Sequence, residues 1–559
     1  MRVKFTILRT LIILIGSIVV LAIILPNGGH FCFDKNTCGI AINGMYKHDS
    51  LWHIALTEIG FNQLPFTNPS QSGSKLIGYN YLLNLIMFLL MKIGISPWFS
   101  FFKLLPIIFV ILYPLLIIRY CQQTEKTKLQ TDAILFFCYF GCSLGFVFSM
   151  YFWKSLAKSP LWEFPNVDVL QSGTILYNLQ FAFSILTVLW ILPYLEKSKL
   201  KFTSCLILFI ATFLATGFKL YAGMTITTLF FFYYFFYFLK NKKTDFIYAK
   251  KILLILAGFL VAVLIFYNPF DSLKSGSIFV LDPLAFSRQM IENQHLFYSQ
   301  NLTDARYYLY SVGNLSKKLV MIESYSILLF MIYNLGTRIV IFPYIAYQFI
   351  KRKFTNEEFS LLFTYLSTFI FNLLFVQKGD WFNTMQFLFY GIFLTNILAG
   401  LALVKFFGAK KNLFENLIII LILSLTVLGN VNLLSFYKKN INDYNYISDL
   451  ELDALNFLKK LPPGDVFTPR MIANLYIPAL TAKPAYLNDT QQLANTGINF
   501  SKRLYTQKNF QKIGVNNISA KYYYVDKNFE EDKRFASLTE SNKKFKLLYK
   551  EGEILIFEK

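Results

Sequence analysis

Long apolar runs alternate with short polar and basic segments over most of the chain. Each run of roughly 20 apolar residues is long enough to cross the ~30 Å hydrocarbon core of a bilayer as a helix. The pattern predicts about eleven membrane-spanning helices, at residues 8–26, 98–119, 131–152, 173–194, 202–218, 221–239, 250–267, 325–350, 358–376, 384–405 and 413–435. The expected fold class is therefore mainly α, with a polytopic transmembrane core.

A further apolar stretch, residues 76–95, fits either a span or a helix that lies along the membrane surface. As a span it would place the basic residues at 119–128 and 240–251 outside, against the preference of cytoplasmic loops for Lys and Arg. The polar Asn80 and Asn84 also suit an interfacial helix better than a lipid-facing span. We therefore predict a surface helix here, a cytoplasmic N-terminus and an external C-terminus.

The chain changes character at about residue 436, where the apolar runs end and charged residues become frequent. Helical periodicity at 450–461, a β-rich run at 522–525 and a hairpin pattern at 545–557 predict a small α/β domain. The predicted division is a transmembrane domain, residues 1–435, and a soluble extracytoplasmic domain, residues 436–559. The transmembrane domain would carry external loops at 27–97, 153–172, 268–324 and 377–383.

Composition narrows the class of protein further. The 559 residues are 55% hydrophobic and 15% charged, with a formal net charge of +22. A soluble chain of this length needs more charge on its surface. The basic residues form short clusters between apolar runs, not a stripe interleaved with aromatics, so nucleic acid is not an expected partner. The abundance of Lys, Asn, Ile and Phe fits a bacterium, and we expect an integral plasma (inner) membrane protein surrounded by lipids.

Two cysteines, Cys32 and Cys38, fall in the first predicted external loop. Outside the cytoplasm, a disulfide between them would close a short loop. Two free thiols are an equal alternative, and the sequence leaves both open.

The first external loop also carries the strongest candidate chemistry, at Asp49. Asp49 stands where the N-cap of an amphipathic helix is expected. His53, a candidate for binding substrate, follows four residues later on the same face. A carboxylate beside the membrane surface is a candidate general base for a sugar or lipid hydroxyl. The alternative is that Asp49 only caps the helix.

The same loop contains three side chains of types that bind metals, His48, Asp49 and His53. Their spacing matches no recognised zinc site. A Mg²⁺ or Mn²⁺ ion held by Asp49 and a carboxylate from another loop, clamping a phosphate, is the better metal hypothesis.

Two other external turns concentrate polar side chains at the membrane boundary. Lys219 lies in a tight turn between two apolar runs, where it would bind a lipid-linked phosphate or extend to the lipid headgroups. The turn at 377–387 contains the further substrate-binding candidates Lys378, Trp381 and Gln386. Lys378 suits a donor phosphate and Trp381 suits stacking on a sugar ring, whereas a hydrated turn that caps the next helix is the alternative.

The first loop resembles that of the GT-C superfamily of membrane glycosyltransferases. The resemblance rests on Asp49 just after the first span, His53 in Asp-x-x-x-His, Asn68-Pro69 and Gly78-Tyr79-Asn80-Tyr81-Leu82. Members of that superfamily are similar to this chain in having a long first external loop with an acidic residue, followed by interfacial helices. The resemblance implies that Asp49 acts as the base or as a metal ligand.

The resemblance also bears on the later external loops. Related enzymes place a second acidic residue in the second external loop, where this chain has Glu163 and Asp168. Either residue is otherwise a solvated loop charge. The polar stretch ending in Gln386-Phe387 is similar to one in large bacterial transferases of this layout.

The predicted function is transfer of a sugar from a polyprenyl-phosphate-linked donor to a glycan, lipid or protein acceptor on the extracytoplasmic side. The sequence contains no Gly-rich phosphate loop or nucleotide fold, which fits a lipid-linked donor. Asp49 would be the base, and Lys219 and Lys378 would hold the departing phosphate. The rival functions are a transporter or flippase for a lipid-linked saccharide and a non-catalytic envelope assembly protein. Most of the predicted spans are uninterrupted apolar runs, which favours the enzyme, because transporters often use broken helices with polar residues in mid-membrane.

Overall fold

The computed structural model of the chain describes residues 6–32, 38–43, 46–145, 175–176, 178–197, 201–242, 246–272, 279–294, 296–377, 381–407, 413–439, 444–470 and 475–559. The chain forms two compact units. The helical unit comprises Met1–Ile23, Ile107–Ile265 and Ile278–Lys439, and the mixed unit comprises Ile24–Pro106, Phe266–Ser277 and Asn440–Lys559.

The helical unit consists mainly of apolar helices, the form in which a single segment satisfies its own backbone hydrogen bonds within lipid. The helices that lie wholly or mostly in this unit are Ile7–Ile24, Leu105–Gln123, Lys128–Phe140, Leu179–Ile191, Phe202–Phe218, Leu220–Asn241, Phe246–Ala262, Ala285–Glu292, Gln300–Ser311, Lys317–Leu335, Ile341–Ile350, Asn356–Leu374, Met385–Phe407 and Leu413–Lys439. Two short strands, Phe279–Leu281 and Phe375–Gln377, pair antiparallel in the same unit.

Among the described residues, 7 helices are long and apolar enough to cross a membrane. They are Ile7–Ile24, Pro97–Gln123, Leu220–Asn241, Phe246–Tyr267, Lys317–Ile350, Trp381–Phe406 and Leu413–Val431. Each coincides with a predicted span, and the remaining predicted spans also fall, at least in part, on helices. The prediction of a mainly α, polytopic core is confirmed. Which side each loop faces stays a prediction.

Two of the predicted spans are interrupted near their middle. The helix Lys128–Phe140 ends before Gly141, in the centre of the predicted span 131–152. Within the predicted span 325–350, the α-helix gives way to a 3₁₀ turn, Gly336–Val340, and then resumes. These two spans are exceptions to the prediction that most of the spans are uninterrupted.

Arg338 explains how the interruptions are tolerated. It has no solvent-exposed surface, and its guanidinium donates to the carbonyl oxygens of Cys142 and Leu335 at 3.2 and 3.3 Å and to Asn396 Oδ1 at 2.7 Å. The two carbonyls lie at or just after the C-terminal ends of helices, which carry partial negative charge and lack helical partners. Gly141 leaves room for the arginine, because a Cβ there would lie 2.5 Å from Arg338 Nη2. The arginine thus satisfies backbone groups that the breaks leave open.

The mixed unit is built around a four-stranded sheet. In spatial order, its strands are Val466–Phe467, Tyr522–Asp526, Ile554–Glu558 and Lys546–Glu551, the first pair parallel and the others antiparallel. Successive side chains of a strand point to opposite faces. Tyr523 and Val525 accordingly pack in the core on one face, and Tyr522 and Tyr524 pack in the core on the other. Because both faces are covered, the strand is apolar throughout instead of alternating.

The sequence patterns of this unit correspond to real elements. The predicted helix at 450–461, strand at 522–525 and hairpin at 545–557 are all present. The helices of the mixed unit are Lys47–Ile59, Leu82–Lys92, Pro97–Phe99, Pro269–Ser272, Asp449–Lys460, Tyr476–Thr481, Thr490–Asn495, Ser501–Lys508, Phe510–Ile513 and Glu530–Glu540.

A second sheet joins the first loop to the C-terminal segment. Its antiparallel strands are, in spatial order, Gly29–Cys32, Cys38–Asn43 and Tyr444–Ser448. Cys32 and Cys38 face each other across the first hairpin and form a disulfide. Gly39 allows the close approach of the third strand, because a Cβ there would clash with the carbonyl oxygen of Ile447. The predicted boundary at 435/436 therefore assigns the first loop and the C-terminal segment to different domains, whereas the structure places both in the mixed unit.

The ambiguous apolar stretch at 76–95 becomes helical only at Leu82–Lys92. Its 11 residues rise about 16 Å, roughly half the thickness of the hydrocarbon core, so this helix is too short to span. The Asn84 side chain is buried and donates to the carbonyl oxygen of His53 at 2.9 Å. Its amide is thus used for packing within the mixed unit, and the placement of this helix on the outer membrane surface stays a prediction.

Candidate active site

The helix Lys47–Ile59 carries the predicted base, Asp49. The helix begins one residue after Tyr46, so Asp49 lies in the first turn and not at the N-cap position that the sequence suggested. The partial positive charge of a helix N-terminus favours a carboxylate in this turn. The Asp49 side chain is 24% exposed. It is therefore held by the fold and still open to solvent.

Asp49 belongs to a cluster of three charged side chains within the mixed unit. His48 Nδ1 lies 3.2 Å from Asp49 Oδ1, and His48 Nε2 lies 2.8 Å from Asp489 Oδ2. The second contact is not aligned as a linear N–H···O bond, so it acts chiefly as an ion pair. An imidazole with a carboxylate at each nitrogen is stabilised as imidazolium. We call His48, Asp49 and Asp489 the first-loop triad.

The pKa of His48 follows from this arrangement. Burial by itself would lower the pKa, because it disfavours the charged ring. The close contacts and negative charges of Asp489 and Asp49 outweigh burial and raise the pKa from 6.5 to about 10. His48 is therefore a cation at neutral pH, seated between two anions.

Sequence reasoning missed Asp489, the third member of the triad. It is the N-cap of the helix Thr490–Asn495 and has the left-handed backbone angle φ 38°. Its Oδ1 caps that helix, Oδ2 faces His48, and the side chain is 3% exposed. The backbone N–H of Asn488 donates to the carbonyl oxygen of Ser70 at 2.7 Å, which fixes this segment to the first loop. The sequence signal present, Asp before Thr, indicates a helix start but not a partner in the first loop.

His53, the other predicted member of the site, packs inside the mixed unit. It is 1% exposed, and its Nδ1 lies 3.2 Å from Asn84 Oδ1. Its ring stacks on Phe101 with the ring centroids 5.6 Å apart. A side chain enclosed in this way has no surface to offer a substrate, which corrects the predicted substrate contact.

The predicted Mg²⁺ or Mn²⁺ site stays a prediction, because the candidates for its second carboxylate, Glu163 and Asp168, lie outside the described residues. Within the described ranges, no group of three His, Cys, Asp or Glu side chains is arranged to hold a metal ion. An imidazolium has no lone pair for a metal, and His48 already occupies the position beside Asp49 Oδ1.

The helical unit brings the two predicted polar turns together. Lys219 is half-buried in the turn between two apolar helices, as expected. Two residues later, the Tyr221 hydroxyl donates to Gln377 Oε1 at 3.3 Å. The Tyr221 ring also stacks on Phe387, with centroids 5.6 Å apart. The Lys219 turn thus lies beside the turn at 377–387.

The remaining members of the second turn have protein partners. Trp381 is partly exposed, and its ring stacks on Phe286 with centroids 4.9 Å apart. Gln386 Nε2 donates to Asn383 Oδ1 at 3.0 Å. Their contacts with substrate stay predictions. Three further candidates lie outside the described residues, namely Lys378, Glu163 and Asp168.

An apolar cleft of about 400 Å³ opens among the helices of the helical unit. Its lining includes Met224, Phe231, Ile252, Leu256, Phe371 and Phe387. Phe387 is also the residue on which Tyr221 stacks, so one part of the cleft lies near the Lys219 turn. A cation next to an apolar cleft suits a ligand with an anionic head and a hydrocarbon chain.

The predicted external loop at 268–324 is organised by Arg306. Its Nε lies 2.7 Å from Glu323 Oε1, and its Nη1 lies 2.9 Å from Glu292 Oε1. All three side chains are largely buried, and removing one partner of such a cluster leaves an uncompensated charge. Arg306 therefore holds this loop together.

Comparison with known proteins identifies the fold. No protein-family model matches the sequence, and no curated protein matches it. The apo structure of the oligosaccharyltransferase from Archaeoglobus fulgidus aligns with a TM-score of 0.50 and 12% identity, over 93% of this chain and 69% of that chain. Its complex with zinc and sulfate aligns with a TM-score of 0.50 and 14% identity, over 92% and 68%. That oligosaccharyltransferase has the GT-C fold.

The chain has the GT-C fold. The structure of ArnT from Cupriavidus metallidurans bound to undecaprenyl phosphate also aligns, with a TM-score of 0.46 and 10% identity, over 98% of this chain and 97% of that chain. The fold rests on the two archaeal structures. The resemblance inferred from the first loop is thereby confirmed for the GT-C fold, while the roles of individual side chains stay predictions.

Proposed function

We propose that this GT-C chain is a glycosyltransferase that moves a sugar from a polyprenyl-phosphate-linked donor to an envelope glycan, lipid or protein on the extracytoplasmic side. The observation that carries the proposal is Asp49, a partly exposed carboxylate on the first helix after the first span, held by His48. A base must be both oriented and accessible to the proton that it takes. The first-loop triad supplies both properties.

The proposed reaction is a direct displacement at the sugar. Asp49 accepts the proton of the acceptor hydroxyl as its oxygen bonds to the anomeric carbon. The bond between that carbon and the phosphate oxygen breaks, and polyprenyl phosphate leaves with the electron pair. One displacement inverts the configuration at the anomeric carbon.

The donor is proposed to interact with the helical unit. Lys219, with Lys378, would pair with the phosphate, where negative charge increases as the bond breaks. The apolar cleft lined by Met224 and Phe387 has a volume of about 400 Å³ and would take part of the hydrocarbon chain. A sugar attached to such a lipid needs no nucleotide-binding fold, which agrees with the absence of such motifs from the sequence.

Metal dependence is not part of the proposal. The archaeal oligosaccharyltransferase of the same fold was solved in complex with zinc. In this chain, the donors around Asp49 do not form a metal site in the described residues.

A specific observation favours a second candidate function, a transporter or flippase for a lipid-linked saccharide. The breaks at Gly141 and Gly336–Val340, the second of which contains the buried Arg338, are the kind of feature that transporters use in mid-membrane. The guanidinium, however, is occupied by carbonyls at helix ends, which suits a structural role.

The two functions predict different locations for an unused donor. In cells that lack this chain, we expect a polyprenyl-phosphate-linked sugar to accumulate and the same sugar to disappear from an envelope glycan, lipid or protein. A transferase defect leaves the donor in the outer leaflet, where a membrane-impermeant oxidant such as periodate destroys it. The amount of lipid-linked donor that survives is measured by mass spectrometry of lipid extracts from intact cells, with and without prior oxidation.

A flippase defect would instead leave the accumulated donor protected from the oxidant until the membrane is opened. That result would replace the proposed function with the second candidate. Unchanged lipid-linked sugars together with unchanged envelope glycans would contradict both. Re-expression of the wild-type chain is the control that must restore the original profile.

A further inference from the structure

We infer that His48, clamped between Asp49 and Asp489, is the resident cation of the first-loop triad and takes the position beside Asp49 that a divalent metal ion would otherwise occupy. The observation is the geometry of the ring, which presents one nitrogen to each carboxylate, at 3.2 and 2.8 Å. Neutral histidine has only one N–H and would leave one of these carboxylates facing a lone pair. Both contacts are favourable only for the imidazolium.

The same geometry opposes a metal ion at the Asp49 oxygen that faces the ring. A histidine ligand must be neutral, with a lone pair directed at the metal, and binding a divalent ion here would require His48 to lose a proton. The oxygen of Asp49 that faces the ring is already neutralised by it. A divalent ion at this oxygen would therefore meet a positive charge about 3 Å away.

The buried carboxylate of Asp489 requires a cationic partner, and the fold supplies His48 in that position. The Asp489 side chain is buried, and its helix-capping role and the Asn488–Ser70 backbone bond fix its position. A buried carboxylate is stable only with a charged or hydrogen-bonding partner. His48 meets this requirement, while on its other side it fixes the exposed Asp49.

The consequence for catalysis rests on the proposed function. If Asp49 is the base, His48 and Asp489 are positioning residues, because they act through Asp49 and do not touch substrate. The cation stays in place when Asp49 takes up the acceptor proton, so the site needs no ion from solution to orient its base. Labelling of His48 and binding of Mn²⁺ are measured without sugar transfer, so a failure of this inference can be told apart from a failure of the proposed function.

The first test measures whether His48 is held as a cation. Diethyl pyrocarbonate acylates neutral imidazole, and a chain with only 4 histidines is readily mapped by peptide mass spectrometry. In the purified full-length protein at pH 7.5, we expect His48 to react slowly. In Asp489→Asn it should react faster, by about tenfold for each unit by which its pKa falls.

Asp489→Asn is a conservative change for this position. Asn tolerates the left-handed backbone conformation as well as Asp does, and its side-chain oxygen still caps the helix Thr490–Asn495. The variant removes the charge and keeps the shape. Asp465→Asn is the matched control, because Asp465 contacts Ser72 and Lys521 in the same unit and not His48, and it should leave the labelling rate unchanged.

The second test measures metal binding directly. Titrating the full-length wild-type protein with Mn²⁺ and following free Mn²⁺ by electron paramagnetic resonance should give the same curve as the Asp49→Asn protein. Uptake of one Mn²⁺ per chain by the wild type that Asp49→Asn abolishes would overturn the inference. Equal labelling of His48 in wild type and Asp489→Asn would overturn it as well.

Discussion

Replacing Asp49 with Asn is expected to lower the rate of sugar transfer about 10²- to 10⁴-fold, the contribution typical of a general base. Asn has the same shape and remains in the first turn of the helix Lys47–Ile59, but it cannot take up the acceptor proton. The measurement is restoration of the envelope glycan by the variant in cells that lack the chain, with its amount in the membrane quantified by immunoblot.

Glu58→Gln is the matched control for Asp49→Asn. Glu58 lies on the same helix and is paired with Lys459 at 4.0 Å, away from the first-loop triad. The substitution removes one carboxylate from the helix and should leave transfer unchanged. Full restoration by an Asp49→Asn chain present at wild-type amounts would remove Asp49 from the mechanism.

Replacing Arg338 with Met should destabilise the protein by at least about 3 kcal/mol. Met fills much of the space but leaves the carbonyl oxygens of Cys142 and Leu335 and the side-chain oxygen of Asn396 without this donor. Each buried acceptor that loses its partner costs about 1–3 kcal/mol. The measurement is the unfolding midpoint of the purified protein in a denaturant titration, compared with wild type.

Two further variants sharpen the test at Arg338. Arg352→Met removes the same side chain at an exposed position and should change stability by less than about 0.5 kcal/mol. Gly141→Ala crowds the Arg338 guanidinium instead of removing it, because the new Cβ would lie 2.5 Å from Arg338 Nη2 and 2.8 Å from Asn396 Oδ1. This variant should also lower the stability of the folded protein. An Arg338→Met protein as stable as wild type but unable to move its lipid substrate would contradict the structural role and favour the transporter.

Elements with a strong local signal could be predicted from the sequence. The predicted spans fall on helices because only long apolar segments are stable in lipid, and hydropathy measures that property directly. The helix Asp449–Lys460 could be predicted because its apolar residues recur with helical period and Ser448 and Glu451 form a capping box. The strand Tyr522–Asp526 could be predicted from its run of aromatic residues followed by Val.

Features that depend on distant partners could not be predicted. The break at Gly141 is stabilised by Arg338, which lies in another predicted span and donates to the carbonyl oxygen of Cys142. No local sequence pattern predicts this contact. The grouping of the first loop with the C-terminal segment depends on strand pairing between Cys38–Asn43 and Tyr444–Ser448. Sequence patterns identify strands and not their partners, so the boundary at 435/436 followed composition alone.

In the candidate site, too, residues with a local sequence signal could be predicted, and contacts with distant residues could not. Asp49 could be identified because it stands at the start of an amphipathic helix in the first loop, where the enzymes that this loop resembles carry an acidic residue. The sequence places His53 on the same helix face as Asp49 and so predicts contact with substrate, but Asn84 and Phe101 cover the His53 side chain. Asp489 has only the signature of a helix cap, and its contact with His48 arises from the fold.

The most direct measurement of the central claim is transfer by the purified protein. The wild-type chain is reconstituted into liposomes with the lipid extract of cells that lack it and with envelope acceptors from the same cells. We expect a new glycosidic bond of inverted anomeric configuration and release of one polyprenyl phosphate per sugar transferred, with Asp49→Asn inactive. Loss of the lipid-linked donor from one leaflet and its appearance in the other, with no new glycosidic bond, would contradict a glycosyltransferase.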